Sequence, residues 1–378
     1  MRLVIKKYEL LKMLNVAQDA IPAKSTEPSF LNFLLEVTDE GASILASDGN
    51  IHIKVFQLNK NSEGENVILD SQNGSVQLPA KITREIVSKL VGNEITLEQV
   101  DSSILTISDS KTTFNINTKE GKDYPDVEIS PSVGDEVELP FKDFIKLYDA
   151  TYFSVAVKTS RPLFTGINIK CTDKKISFVS SDTCRLSRMT LDINSEAKIS
   201  FNCPLKVLSV ISKLESVDTL RFKVGADKVS FQVGNTTIGS RIIPGEFPDV
   251  DKIIPSLYPY KMKCNAAKLI EAMDRVTIVN GDDKTSTKNI KLNFDGDRVV
   301  VSSRSSSYGT SSEVLEDCEF SGEKFTICFN STFVSQACKS LNSEKIEILF
   351  SGEVRMFRVS CDDQNNLQLI TPVRYYYN

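Results

Sequence analysis

The sequence predicts an α+β chain built as three tandem copies of one unit of about 125 residues. Three observations predict it. One amphipathic helical pattern recurs three times, a second recurs three times in step with it, and a Pro-Asp-Val turn appears near the end of the first two units. At 378 residues the chain exceeds one ordinary hydrophobic core, so several domains are expected. The units are assigned to residues 1–130, 131–255 and 256–378.

The first helical pattern is LLKMLNVA from Leu10, FIKLYDAT from Phe144 and LIEAMDRV from Leu269. Bulky residues fall at p, p+1 and p+4: Leu10, Leu11 and Leu14, then Phe144, Ile145 and Tyr148, then Leu269, Ile270 and Met273. That spacing lines one helical face. The second pattern is PAKITREIVSKL ending at Leu90, PLKVLSVISKL ending at Leu214 and NSTFVSQACKSL ending at Leu341. Pro79 and Pro204 suit a helix start, where the missing N–H costs little, and Asn330 suits an N-cap. Between the two helices lie alternating segments such as ISFVSSD and RVVVSSR, which are expected to be strands. The recurring turn is KDYPDVEI at 122–129 and GEFPDVDKI at 245–253.

Composition narrows the function classes. With 40% hydrophobic and 25% charged residues the chain is globular rather than disordered. The net charge of −5 does not by itself indicate nucleic acid, but a net value averages over faces and can conceal a local basic stripe. No apolar run approaches the roughly 18 to 20 residues that span a bilayer. The start MRLVIKKYELLKML mixes charged and apolar residues too early for a signal peptide, so a cytoplasmic protein without membrane contact is expected. The eight cysteines form no CxxC pair and are expected to be reduced structural thiols, with no bound metal.

The inventory of reactive groups points away from catalysis. His52, the only histidine, lies in the alternating GNIHIKV and is expected to be structural. No GxSxG, GxxxxGK[ST], HExxH or GxGxxG motif occurs. Asp282 and Asp283 sit in GDDKTSTK, a segment expected to be a solvated loop. No catalytic residue and no cofactor are therefore assigned. An enzyme built from scattered carboxylates is the alternative of a different class. The polar sides of the second helices carry Lys81, Arg84 and Lys89, then Lys206 and Lys213, then Lys339. Pointed one way, these would meet phosphates without reading bases, giving sequence-independent, salt-sensitive binding.

Four motifs carry a resemblance: RPLFTGI at 161–167, SSDTCRLS at 180–187, PGEFPDVDKIIP at 244–255 and LITPVR at 369–374. With the three-repeat plan, they make the chain similar to the bacterial DNA polymerase III beta subunit family, the sliding clamps. The resemblance implies the DNA clamp fold, closed as a head-to-tail homodimeric ring. Helices would line a central hole around double-stranded DNA, with antiparallel sheets outside. It implies a dimer joint with Phe114 and Ile116 on one side and Ile278 and Val279 on the other. DNA contacts implied by it are Lys12, Lys24, Lys158, Arg161 and Lys206, to which the helix-face pattern adds Lys81.

A groove between the second and third domains is also implied. It would take short linear motifs from the DNA polymerase III alpha subunit, the clamp-loader delta subunit, other DNA polymerases and repair proteins. Matching positions are Leu163, Phe164, Ser181, Thr183, Cys184, Arg185 and Leu186, followed by Pro248, Lys252 and Ile253. Phe333, Val354 and Met356 join them, with Leu369, Thr371, Pro372, Val373 and Arg374 from the tail. Apolar walls for a few anchors with polar rims make a sensible peptide site. Thr371 and Cys184 are smaller or more polar than the bulky residues often found there, and Tyr375, Tyr376 and Tyr377 extend the tail beyond the motif. A three-repeat scaffold that binds proteins but no DNA is the alternative function.

Overall fold

Six times among the described residues a strand runs directly into a helix. A computed structural model describes residues 1–61, 63–281, 288–296 and 298–374. The first helix of each repeat follows the strands Arg2–Lys6, Asp135–Pro140 and Tyr260–Asn265; these helices are α1 (Lys7–Ala17), α3 (Phe141–Asp149) and α5 (Ala266–Val276). The second follows Gly74–Pro79, Ile199–Pro204 and Phe325–Asn330, giving α2 (Ala80–Lys89), α4 (Leu205–Ile211) and α6 (Ser331–Leu341). The junction residue is proline at 79, 140 and 204 and a capping asparagine at 265 and 330. Asn330 Oδ1 accepts the Thr332 N–H at 2.9 Å, and Asn265 Oδ1 accepts that of Lys268 at 3.1 Å. Such caps contribute about 1 kcal/mol each.

The buried helix faces follow the predicted pattern with one shift. Leu10, Leu14, Phe144, Tyr148, Leu269 and Met273 are buried, whereas the p+1 residues Leu11, Ile145 and Ile270 are only half-buried. The inward stripe of α1 is Leu10, Met13, Leu14 and Ala17, and that of α5 is Leu269, Ala272, Met273 and Val276. A step of one residue turns a side chain about 100° around the axis, so p+1 falls at the edge of the stripe.

The strands form antiparallel sheets whose order crosses the repeat borders. One nine-stranded sheet joins the first and central repeats where Ile51–Leu58 pairs with Thr236–Arg241. A second joins the central and third repeats where Arg185–Asp192 pairs with Asn366–Ile370. A five-stranded sheet ends on Thr113–Asn117, and a four-stranded sheet runs from Gly309–Leu315 to Phe325–Asn330. By packing, the chain forms two compact units, Met1–Lys142 with Lys206–Ile242, and Asp143–Leu205 with the chain from Ile243 onward. The strands of the central repeat are divided between them, because each half continues a neighbour's sheet. Within the first unit α1 packs on α2, and within the second α5 packs on α6. Asp282, Asp283 and the tyrosines 375–377 lie outside the described residues.

His52 is a buried strand residue, with Nδ1 2.8 Å from Ser47 Oγ. Burial pushes the imidazole below its ordinary value of 6.5; nearby Asp48 works against this, while Lys228 and Arg241 add to it. The unfolded chain therefore binds this proton more readily, and stability falls as the pH drops below about 6.5, the loss ending once the pH is under the folded-state pKa. Urea midpoints taken from neutral to mildly acidic pH are expected to show that decline, and His52→Gln to flatten it. An NMR titration placing the imidazole at or above its ordinary value would contradict the assignment.

Candidate functional site

Most of the predicted groove residues lie on segments that meet along one seam of the second unit, but Val373 and Arg374 do not. Strand Arg185–Asp192 pairs with Asn366–Ile370 in the register Arg185↔Ile370 and Leu186↔Leu369. Beyond the ladder, the Thr371 N–H donates to Cys184 O at 2.8 Å. The start of the tail therefore runs beside SDTCRL as an adjoining strand.

A tight turn builds the rim at 181–185. The Ser181 hydroxyl donates to Arg185 O at 2.7 Å and accepts the Thr183 N–H at 3.1 Å. Asp182 Oδ1 accepts the N–H groups of Cys184 and Arg185, each at 3.0 Å. Thr183 takes a left-handed φ of 75°, which leaves Thr183 and Cys184 exposed at the tip. Arg185 turns inward. Its Nε lies 2.9 Å from Asp182 Oδ2, its other nitrogens donate to Gln336 Oε1 and Phe153 O, and its guanidinium lies 4.3 Å from the Phe333 ring centroid. Arg185 and Phe333 thus form an internal clasp between the turn and α6.

Leu186 and Leu369 form a floor rather than a wall, at 2% and 0% exposure, in a cluster with Val179 and Leu367. Half-buried Phe247, Val250, Ile254 and Met356 pack on it. Phe164 is buried edge-to-face on Phe247, with ring centroids 5.8 Å apart, and Leu163 is half-buried beside it in the sequence. The accessible apolar groups include Ile253 at 48% and Val354 at 68% exposure, with Pro248 also exposed. Lys252 is exposed and pairs with Asp249 at 3.3 Å. Phe247, Val250 and Ile254 pack on this cluster but are not singled out from the sequence, although the PGEFPDVDKIIP motif contains all three. The end of the tail diverges from this cluster. The half-buried Pro372 leads to Val373, whose N–H donates to Cys328 O at 2.8 Å. Val373 and Arg374 line a separate cavity of about 470 Å³ with Lys291, Ser302 and Cys328.

The predicted DNA contacts divide by environment. Lys24, Lys81, Lys158 and Arg161 are exposed. Lys12 instead pairs with Glu215 at 2.5 Å, and Lys206 with Asp48 at 3.1 Å. Burial pushes the Asp48 carboxyl up, but the N–H groups of Ile51 and Asn50 and the Lys206 ammonium outweigh it and hold it below the usual range. On α2, Arg84 Nε donates to Asn15 Oδ1 of α1 at 2.6 Å, so this cation helps to join the two helices.

The residues assigned to the dimer joint lie at sheet margins. Among the described residues Thr113–Asn117 is an edge strand, paired only with Ile104–Ser108, and it carries Phe114 at 36% exposure beside the half-buried Ile116. Ile278, at 74% exposure, and half-buried Val279 lie on the 3-10 turn Thr277–Asn280, which packs on the strands of the four-stranded sheet that include its edge, Gly309–Leu315. An uncovered edge strand presents free N–H and C=O groups and invites pairing with another chain.

Three models of one family match the chain in order. The N-terminal domain of the DNA polymerase III beta subunit matches residues 1–128, its central domain 138–249 and its C-terminal domain 251–374. The chain belongs to the DNA polymerase III beta subunit family. Among relatives, the beta sliding clamp of Streptococcus pneumoniae R6 is 29% identical over 378 residues, covering 98% of each chain. That of Staphylococcus epidermidis RP62A is 27% identical over 383 residues, covering 100% of both. The crystal structure of the DNA polymerase III beta chain of Streptococcus pneumoniae TIGR4 matches with a TM-score of 0.92 at 26% identity, covering 99% of this chain and 100% of that one. The Bacillus subtilis sliding clamp structure has the same fold, with a TM-score of 0.93 at 24% identity over 100% of both chains. The fold is thus the three-domain clamp fold of this family. Among the described residues no three His, Cys, Asp or Glu side chains are placed to hold a metal ion.

Proposed function

We propose that the chain is a DNA sliding clamp, a ring-shaped homodimer that encircles duplex DNA and tethers replication and repair proteins. The observation that carries this reading is the ordered match to all three beta-subunit domains along the chain. The seam in the second unit supports the tethering part. It has a closed apolar floor on which half-buried Phe247, Val250, Ile254 and Met356 pack, with exposed Ile253 and Val354 beside these residues in the sequence, a composition suited to the anchors of a linear peptide. Its partners are the alpha subunit of DNA polymerase III, the delta subunit of the clamp loader, other DNA polymerases and repair proteins. The dimer closes head to tail, with Phe114 and Ile116 of one copy meeting Ile278 and Val279 of the other, a heterologous contact that closes after two subunits.

In this mechanism no bond is made or broken by the clamp. A closed ring cannot leave duplex DNA sideways, so phosphate contacts from Lys24, Lys81, Lys158 and Arg161 need only be weak, and sliding stays fast. The ion pairs of Lys12 and Lys206 fit this: a lysine that exchanges a carboxylate for a passing phosphate has little net preference for either. Two grooves per ring raise the local concentration of tethered enzymes at the primer end. The protein acts in the cytoplasm; no helix among the described residues is long and apolar enough to cross a membrane.

Loading onto circular DNA by a clamp loader tests the reading. The chain is expected to stay on closed circles through gel filtration at high salt and to be released when the circle is cut. Failure to be retained on closed circles, while polymerase peptides still bind, would favour a protein-only scaffold.

A further inference from the structure

Two thiols stand opposite one another in the third repeat, and neither takes part in the DNA ring or the peptide seam. Strands Tyr260–Asn265 and Glu319–Ser321 pair with Lys261 opposite Ser321, Met262 opposite Phe320 and Lys263 opposite Glu319. One step further along the same antiparallel register, Cys264 faces Cys318. Directly opposed residues in such a pair have Cα atoms roughly 4.5 to 5.5 Å apart, inside the span that a disulfide bridges. The two side chains are in hydrogen-bond contact, and both thiols are free. They line one cavity of about 340 Å³ together with Lys268 and Arg275, Cys264 being buried and Cys318 half-buried.

The position gives the pair a mechanical consequence. Residues 316–318 carry the chain from Gly309–Leu315, the edge of the four-stranded sheet, to Glu319–Ser321, the edge of a nine-stranded sheet. Asp317 makes this turn with a left-handed φ of 58°, and its carboxylate pairs with Lys268 of α5. A covalent link at Cys318 would fix the crossover to the strand that leads into α5.

We propose that Cys264 and Cys318 form a redox-sensitive pair, closed to a disulfide by a low-molecular-weight disulfide and reopened by a dithiol. The Cys318 thiolate attacks one sulfur of the oxidant, forming a mixed disulfide and releasing one thiolate. Cys264 then loses its proton and attacks the Cys318 sulfur, releasing the second. Two protein thiols are oxidised and the oxidant is reduced to two thiols, so atoms and electrons balance. The hydrogen bond from Cys264 holds the Cys318 thiol below its ordinary range, against the effects of burial and of Asp317, which suits Cys318 as the attacking group. The same contact, followed by burial, pushes Cys264 up, which keeps it protonated until the mixed disulfide has formed.

Full-length protein equilibrated with oxidised glutathione, then alkylated and digested, tests this. Two of the eight thiols are expected to escape alkylation, with a cross-linked peptide pair containing Cys264 and Cys318 that dithiothreitol dissolves. The oxidised chain is expected to melt a few degrees higher, since the link closes a long loop. Cys318→Ser is expected to abolish both the cross-link and the shift. The mapping on wild-type protein decides the matter whether or not the variant folds. Recovery of both cysteines as alkylated or singly glutathionylated peptides, or pairing of either with a different cysteine, overturns the proposal.

Discussion

Deletion of residues 371–378 is expected to lower the affinity for a polymerase-derived linear peptide by about 100-fold or more while leaving the dimer intact, the scale at which a principal anchoring element is lost. The last strand, Asn366–Ile370, survives the truncation, because it pairs on one side with Arg185–Asp192 and on the other with Phe357–Ser360. Among the described residues, the deleted backbone contributes the bonds from Thr371 to Cys184 and from Val373 to Cys328, a loss of roughly 1 kcal/mol each. That is too little to unfold the third repeat. At the seam the deletion removes Thr371, which bonds to Cys184, and the half-buried Pro372 that follows it, while Val373 and Arg374 leave from the separate cavity that they line. The dimer is expected to be unaffected because Phe114, Ile116, Ile278 and Val279, the residues proposed for its joint, lie on other elements. Fluorescence anisotropy with a labelled peptide reads the first effect and sedimentation equilibrium the second. Unchanged peptide affinity in the truncated chain would remove the tail from the site.

Helix existence was legible because burial on a helix obeys a period that one sequence displays by itself. Leu10, Phe144 and Leu269 are core residues at matching points of three helices. Partner choice between strands was not legible, because alternation tells which face is buried and not which strand lies alongside. Nothing local announces that His52 lies opposite Gly239, or Leu186 opposite Leu369. For the same reason the ion pairs of Lys12 with Glu215 and Lys206 with Asp48 were out of reach, being made across 203 and 158 positions of chain. Within the candidate site, the motif match pointed to segments that the fold brings together but not to the depth of each side chain. Leu186 and Leu369 are aliphatics that the fold uses as floor, while Ile253 and Val354 are aliphatics that it leaves in water. Residue type alone cannot separate those two uses.

Arg185 shows the same ambiguity in a charged residue, and its replacement separates the two roles. Arg185→Ala is expected to destabilise the chain by about 3 kcal/mol, in the range for breaking a buried, hydrogen-bonded ion pair. The side chain is only 10% exposed and its Asp182 partner 17%, so water does little to screen the pair. Burial pushes the guanidinium pKa down, and Asp182 opposes that shift. Truncation would strand the Asp182 carboxylate, Gln336 Oε1 and the Phe153 carbonyl together, and would remove the cation from the face of Phe333. Arg185→Lys is expected to recover only part of the loss, since one ammonium cannot reach three acceptors in the planar fork that guanidinium supplies. Because the clasp holds the 181–185 turn, peptide affinity is expected to fall with stability in the alanine variant. Urea unfolding and peptide titration on the same two variants read both quantities. Lost binding with an unchanged unfolding midpoint would instead make Arg185 a rim contact that touches the peptide directly, and the turn would then need another support.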